Sequence, residues 1–246
     1  MKIGVVQLRL SDAIEKNRDF IIRYAERAAE SGVSILGFPE TALTGYVYDG
    51  FLKVDFNAVD SALGRIQNVL KGTGLHLIVG TPTSNGGSVY NSAVVLFPDG
   101  KRLVYHKQYL VDYETKYFIP GTDTLIFSVE KYKFGVIICR DQNFPGACSV
   151  LRDGGVRAAF ICSAHYYEAS ESMLKREKNR ALPVARAYEN GIFVLKSNAV
   201  GTQNGAVSLG GSLIVDPRGI VVQEAGKHEE AMLVYEIDFT RENPSW

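Results

Sequence analysis

Short apolar runs rich in β-branched residues alternate along the chain with segments whose apolar residues recur at helical spacing. In the first half, three such runs predict buried strands: residues 2–8, 33–38 and 75–79. Two helices are predicted between them, the first ending by Gly32 and the second carrying Val59 and Leu63 on one face. The period then changes to two, which predicts a hairpin from residues 89–97 and 103–106.

The second half repeats this order of elements. Its buried strands are predicted at residues 134–138, 158–162 and 192–196. A long helix, roughly residues 171–189, precedes the last of these, and Pro183 within it predicts a kink or a break. A second hairpin, residues 212–215 and 220–223, and a final strand, residues 232–237, complete the half.

This repetition predicts the fold class. Each half, about residues 1–125 and 126–246, reads as β-α-β-α-β followed by a hairpin, and no linker or low-complexity segment divides them. We therefore expect a single domain, 1–246, of the α/β class. Two mixed sheets with helices on one face each bury most apolar area by packing sheet to sheet. The predicted architecture is a four-layer α-β-β-α sandwich.

The charge balance favours a small-molecule partner. The 27 basic and 27 acidic residues cancel, so attraction to nucleic acid or to an anionic membrane is not expected. The three cysteines form no disulfide pattern and no metal-ligand spacing, which is typical of a reducing compartment. No signal peptide or membrane-spanning run is recognisable. The expected location is the cytoplasm.

Three residues at the ends of predicted strands suggest one chemistry. Cys139 follows the buried strand 134–138, where open α/β sheets place their ligand crevices. Cysteine alone is more often a packing residue, but Glu40 and Lys107 also follow predicted strands. A thiol that attacks an amide carbon needs a base, and a carboxylate serves. The developing oxyanion needs a donor, which an ammonium group or the backbone N–H of Arg140 supplies.

The sequence resembles the nitrilase, or carbon–nitrogen hydrolase, superfamily in five ordered segments that cover nearly the whole chain. They are residues 37–46, 105–110, 114–121, 135–145 and, jointly, 186–190 with 197–199. The resemblance implies Glu40 as general base, Lys107 as oxyanion stabiliser and Cys139 as nucleophile. It also implies Glu114 as a supporting carboxylate, no cofactor or metal, and a homodimer or higher homo-oligomer.

Some positions depart from the pattern of this family. Gly146 stands where members commonly carry a glutamate, and residues 163–167 replace a segment in which many relatives have proline and tryptophan. Since that segment should border the pocket, we predict His165 and Tyr166 as substrate-binding residues, together with Arg140 and Tyr46.

The pair Arg140-Asp141 after the cysteine resembles amidases and carbamoylases, whereas nitrilases usually have Trp-Glu there. The predicted function is therefore hydrolysis of a small linear amide, of the omega-amidase or aliphatic amidase type, through a thioester. Hydrolysis of an N-carbamoyl compound is the alternative, and a nitrilase is less favoured.

Two alternative interpretations of the function are weaker. A papain-like pair of Cys162 and His165 rests only on a spacing of three residues. A binding protein that keeps the fold without turnover is disfavoured, because it has no physical need for Glu40, Lys107 and Cys139 together.

Overall fold

The computed structural model describes residues 1–46, 51 and 53–240. Within these residues, two six-stranded mixed sheets and four α-helices form the predicted four-layer α-β-β-α sandwich. The helices are α1 (Ile14–Glu30), α2 (Phe56–Asn68), α3 (Pro145–Asp153) and α4 (Ala169–Asn190). The first two pack on the first sheet, and the last two pack on the second.

The first sheet has three parallel strands at its centre and antiparallel strands on both sides. Its members are β1 (Lys2–Gln7), β2 (Val33–Gly37), β3 (His76–Asn85), β4 (Ser88–Leu96), β5 (Arg102–His106) and β14 (Ala231–Glu236). Their order is β14-β1-β2-β3-β4-β5, and β1, β2 and β3 run parallel.

The second sheet has the same plan. Its members are β6 (Leu125–Val129), β7 (Tyr132–Ile138), β8 (Val156–Ser163), β9 (Phe193–Asn198), β12 (Leu213–Val215) and β13 (Val221–Glu224). Their order is β13-β12-β9-β8-β7-β6, with β7, β8 and β9 parallel. A separate hairpin consists of β10 (Val200–Gln203) and β11 (Ala206–Leu209).

Three features differ from the sequence expectation. The third strand does not end at residue 79 but continues to Asn85 and forms its own hairpin with β4. The final strand, β14, does not stay with the second half but pairs antiparallel with β1 in the first sheet. α4 runs through Pro183 without a break, and both Pro183 and Ala187 are buried in the packing of this helix against its neighbours.

The two sheets bring their carboxyl-terminal strand ends to the same edge of the sandwich. Just beyond β1 and β9, Leu8 pairs with Ala199 in a parallel bridge. Nearby, the hydroxyl of Ser197 donates a 2.8 Å hydrogen bond to the carbonyl of Phe38, which follows β2. An apolar core fills the space between the sheets, including fully buried Ile35 and Phe160. Residues that follow β2, β7 and β8 therefore meet at one edge.

None of the helices in the described part of the chain is both long enough and apolar enough to cross a lipid bilayer.

Candidate active site

Glu40 stands in a tight turn after β2, and a glycine on the neighbouring strand makes room for that turn. A Cβ on Gly80 would lie 2.2 Å from the carbonyl oxygen of Pro39 and 2.7 Å from the Cα of Glu40. Thr41, the next residue, has a φ of 50°, a left-handed value that is strained for a β-branched side chain. The backbone N–H of Leu43 donates to the carbonyl of Gly80 at 3.1 Å. The glutamate is therefore held by close backbone contact with β3.

Lys107 follows β5 and is fixed from both sides. Its backbone N–H donates to the carbonyl of Asn91 on β4, and its carbonyl accepts from the N–H of Gly121, each at 2.8 Å. The side chain is 1% exposed. The fold thus buries this ammonium group in the interior, where a charge needs a carboxylate partner.

Two carboxylates provide that partner. The Nζ of Lys107 lies 2.7 Å from the Oε1 of Glu40 and 2.9 Å from both carboxylate oxygens of Glu114. Glu114 belongs to a short 3-10 helix, Asp112–Lys116, and is fully buried like Glu40. The amide of Asn91 donates to Glu40 at 2.8 Å and to Glu114 at 3.0 Å. The structure thus brings together three of the four predicted catalytic residues.

Cys139, the fourth, directly follows β7 and begins another short 3-10 helix, Cys139–Asn143. Its φ of 45° is left-handed, and its side chain is half-buried. Asp141 holds this turn, because its carboxylate accepts hydrogen bonds from the N–H of Ile138 and of Tyr109, each at 2.9 Å, and from the Tyr105 hydroxyl at 2.8 Å. The backbone N–H of Arg140 lies in the first turn of this helix, where amides lack an acceptor within the helix.

The charges in this cluster act on one another. Burial, with the charge of Glu114, raises the pKa of Glu40 despite the attraction of Lys107. Burial opposes the charge of Lys107, but Glu40 and Glu114 outweigh it and hold its pKa well above the usual value. Burial and the charge of Glu40 raise the pKa of the Cys139 thiol. The thiol therefore rests as S–H, and its proton must leave for a nearby base during attack.

Asn91, Asp141 and the backbone of Ala164 were not predicted as site residues. The N–H of Ala164, just after β8, donates to the Oε2 of Glu40 at 3.0 Å, so both carboxylate oxygens of the glutamate are bonded. Asn91 had a usable signal, since it and Ser92 are polar residues inside the predicted strand 89–97. A backbone donor such as that of Ala164 has no sequence signal at all.

Two of the predicted substrate-binding residues adjoin the cluster. The Tyr46 hydroxyl donates to Glu114 at 3.3 Å and also bonds the hydroxyl of Tyr113. The ring of Tyr46 stacks on that of Tyr166, with centroids 6.0 Å apart. The buried hydroxyl of Tyr166 has no hydrogen-bond partner among the described residues. These rings form a wall beside the charged cluster.

The other two predicted binding residues, Arg140 and His165, line two separate cavities. Arg140 is partly exposed, lies 3.7 Å from exposed Asp112 and lines a groove with the stacked rings of Tyr109 and Phe144. His165 is buried, and its ring approaches the amide of Gln142 at 3.5 Å. His165 lines a second cavity, on the α4 side of the second sheet.

Gly146, in the first turn of α3, leaves open space in place of a side chain. A Cβ at this position would meet no atom within 4 Å. The backbone therefore leaves room for a β-carbon there, but this chain lacks the side-chain contacts of the glutamate that family members commonly carry. In the described residues, no group of three or more His, Cys, Asp or Glu side chains is arranged to hold a metal ion.

Comparison with known proteins identifies the family. Residues 2–243 match the family described as carbon-nitrogen hydrolase. The chain belongs to this family. The resemblance stated from the sequence is therefore confirmed, and the chain is an enzyme of the carbon–nitrogen hydrolase class.

Three relatives illustrate the range of the match. A protein named nitrilase from Pyrococcus abyssi is 30% identical over 91% of this chain and 84% of its own. The omega-amidase NIT2-A of Xenopus laevis is 28% identical over 96% and 88%. A mutant amidase from Nesterenkonia sp. AN1, with the acetamide moiety of fluoroacetamide on its active-site cysteine, superimposes with a TM-score of 0.85. It is 26% identical, and the match covers 96% of this chain and 90% of that one.

We expect Gly80→Ala to lower kcat/KM at least a hundredfold, because the added Cβ would displace the backbone at Pro39 and Glu40, and misplacing a reacting group by about 1 Å costs on the order of a hundredfold. Gly74→Ala is the matched control, since a Cβ there meets nothing within 4 Å. Steady-state kinetics on both variants, with thermal melting to confirm folding, provide the measurement. Equal activity in the two would contradict the role of close packing at Gly80.

The raised pKa of Glu40 predicts the pH dependence of hydrolysis. A general base works only when deprotonated, so kcat/KM should fall as the pH drops through a value above the usual pKa of about 4.3 for a glutamic acid. On the alkaline side, the strongly raised pKa of Lys107 keeps its charge, so no loss is expected at mildly alkaline pH. A profile of kcat/KM with an uncharged substrate tests this. Full activity down to the usual glutamic acid range would be inconsistent with Glu40 as the base.

Proposed function

We propose that the enzyme is a cysteine-dependent amidase that hydrolyses a small linear amide through a thioester. One observation carries the proposal: the ammonium of Lys107 lies 2.7 Å from the carboxylate of Glu40, and both buried groups are near enough to Cys139 for their charges to act on its thiol. A base, a cation and a nucleophile within one buried cluster supply the groups that acyl transfer requires.

In the first step, the Sγ of Cys139 attacks the carbonyl carbon of the amide while Glu40 accepts the thiol proton. A C–S bond forms, and the C=O π electrons move to the oxygen. The ammonium of Lys107 and the backbone N–H of Arg140 stabilise this oxyanion. Because the resting thiol is neutral, proton transfer accompanies attack and does not precede it.

In the second step, the oxyanion re-forms its double bond and the C–N bond breaks. Glu40 returns its proton to the leaving nitrogen, which departs as ammonia or an amine. The acyl group remains on sulfur as a thioester.

In the third step, water loses a proton to Glu40 and attacks the thioester carbon. The C–S bond breaks, the carboxylic acid leaves, and the thiolate recovers the proton from Glu40. Glu40 thus acts as base and acid in turn. Glu114 and Asn91 keep it beside Lys107 throughout.

The choice of an amide over a nitrile rests on Arg140-Asp141, which resembles amidases, and on the amidase names of two of the three relatives. Because the relative from Pyrococcus abyssi is named a nitrilase, the substrate test below includes nitriles. An N-carbamoyl substrate presents the same carbonyl chemistry and remains the alternative. The homodimer and the cytoplasmic location also remain predictions.

A substrate panel tests the reaction class. We expect the enzyme to release ammonia from short aliphatic amides or from N-carbamoyl compounds, and chelators should not affect the rate. Matched nitriles should be turned over at least a hundredfold more slowly. Ammonia release by coupled assay provides the rates. Comparable rates on nitrile and amide would overturn the amidase assignment, and sensitivity to chelators would overturn the metal-free mechanism.

Two cysteine variants test the nucleophile. Cys139→Ala should abolish turnover while leaving the melting temperature nearly unchanged, since the thiol at this strand end contributes little packing. Cys162→Ala is the matched control, because Cys162 is the neighbouring thiol on β8 and the centre of the papain-like alternative. It should keep most activity. Loss of turnover in Cys162→Ala but not in Cys139→Ala would reverse the assignment.

A further inference from the structure

A small polar cavity lies between α4 and the second sheet. Its volume with the open mouth is about 350 Å³, but only about 20 Å³ of that space is wide enough for a particle of the size of water. The charged side chains and the imidazole in its lining are Arg176 and Arg180 from α4, Lys196 from β9, Glu224 from β13, and His165, which follows β8. None of these residues takes part in the reaction described above.

Lys196 is a buried cation without a carboxylate of its own. Its side chain is 1% exposed, and its Nζ donates one hydrogen bond within the described residues, to the carbonyl of Asn179 at 3.0 Å. An ammonium group carries three donors, and no carboxylate in the described part of the chain lies within 4.0 Å of this one. Burial lowers its pKa to about 8, so the group is still charged at neutral pH. It therefore lacks the partners that usually accompany a buried charge.

The other charges in the cavity do not supply the missing partner. Glu224 is engaged by Arg180 at 3.0 Å and by Arg176 at 3.8 Å. The lining thus carries three cations against one carboxylate, and the two arginines share that carboxylate. The uncompensated positive charge is deepest at Lys196, since both arginines are partly exposed.

His165 adds a second buried donor without a partner. Burial and the charge of Lys196 hold the pKa of the ring well below its usual value, so the imidazole is neutral and the ammonium group lies near it. Its Nε2 faces the amide nitrogen of Gln142 at 3.5 Å, which assigns Nε2 as the acceptor and leaves the proton on Nδ1. That Nδ1 is buried and has no partner among the described residues. Two buried donors in one cavity require an acceptor.

Size and charge together select the kind of acceptor. A space of about 20 Å³ holds little more than one water molecule, so phosphate, sulfate and organic carboxylates, which contain several heavy atoms, do not fit. A water molecule would accept the hydrogen bonds but would leave the buried charge of Lys196 uncompensated. A monatomic anion meets both needs, because it accepts hydrogen bonds from several donors and carries the opposite charge.

We propose that Lys196 and His165 bind a single chloride ion in this cavity, with Arg176 and Arg180 adding positive charge on its exposed side. The ion neutralises the ammonium group and joins β9 to the segment that follows β8. Because Lys196 also bonds the carbonyl of Asn179 on α4, the bound ion stabilises the packing of α4 on the second sheet. The site lies outside the catalytic cluster and does not depend on the proposed amidase function.

Crystals of the wild-type protein soaked in bromide give the first test, because bromide replaces chloride and is located by its anomalous scattering. We expect an anomalous peak within hydrogen-bonding reach of the Nζ of Lys196 and the Nδ1 of His165. A water molecule at that position, or bromide bound only at the protein surface, would overturn the site.

Thermal melting of a variant gives the second test, since a ligand that binds only the folded protein raises its melting temperature. The quantity compared is the melting temperature in sodium chloride minus that in sodium gluconate at equal ionic strength. We expect this difference to be larger in wild type than in Lys196→Met by about 2 °C or more at saturating chloride. Gluconate is the reference because it is too large for the cavity, and the comparison of two proteins in the same salts cancels general salt effects. The same difference in both proteins would refute chloride binding at Lys196.

Lys178→Met is the matched control for the melting experiment. Lys178 is an exposed cation on α4 that does not line the cavity, so this variant should respond to chloride as the wild type does. An equal loss of the response in Lys178→Met and Lys196→Met would indicate a general charge effect and refute the specific site. The bromide experiment needs no variant, so it decides the question if Lys196→Met does not fold. Neither measurement uses a substrate, so failure of the amidase function would leave the chloride site standing, and the reverse also holds.

Discussion

One buried ammonium group fixes the geometry of the candidate site. Taking a lysine out of water costs several kcal/mol, and only good contacts with carboxylates offset that cost. Lys107 meets Glu40 and Glu114 within 2.9 Å, and these three residues come from three separate segments of the chain. Removing one carboxylate would leave a buried charge partly unpaired, so the contacts hold the segments together. The two carboxylates exceed the single cation by one negative charge, and this excess helps to keep the Cys139 thiol protonated.

Local backbone strain accompanies both reacting groups. Thr41 and Cys139 have left-handed φ values although neither is glycine, a conformation that costs of order 1–3 kcal/mol per residue. The surrounding structure supports each turn from outside. Close contact with Gly80 confines the first, and three hydrogen bonds to Asp141 confine the second. The strain persists because the scaffold determines the backbone path more strongly than local preference does.

The sequence predicted the layers and the charged cluster but not the connections that complete them. Glu40, Lys107 and Cys139 were predictable because each polar side chain follows a buried apolar run, a signal that single-sequence patterns carry well. Family resemblance added Glu114. The placement of β14 was missed, since strand pairing between distant segments leaves no local period. The hairpin β10–β11 was also missed, although its strands are adjacent in the chain and Asn204-Gly205 between them is a typical hairpin turn. The role of the backbone N–H of Ala164 could not be predicted either. Every residue except proline has such a group, and only the fold determines where it points.

The pairing of β14 with β1 changes how the two halves relate during synthesis. In the second sheet, the antiparallel strand beside the first parallel strand is β6, which directly precedes it in the chain. In the first sheet, the equivalent place is taken by β14, and the amino group of Met1 also donates to the carbonyl of Ile237. The first sheet therefore remains open at one edge until residue 236 has left the ribosome. Glu40 and Lys107 are synthesised early, but the sheet that carries them is completed last, when β14 pairs with β1.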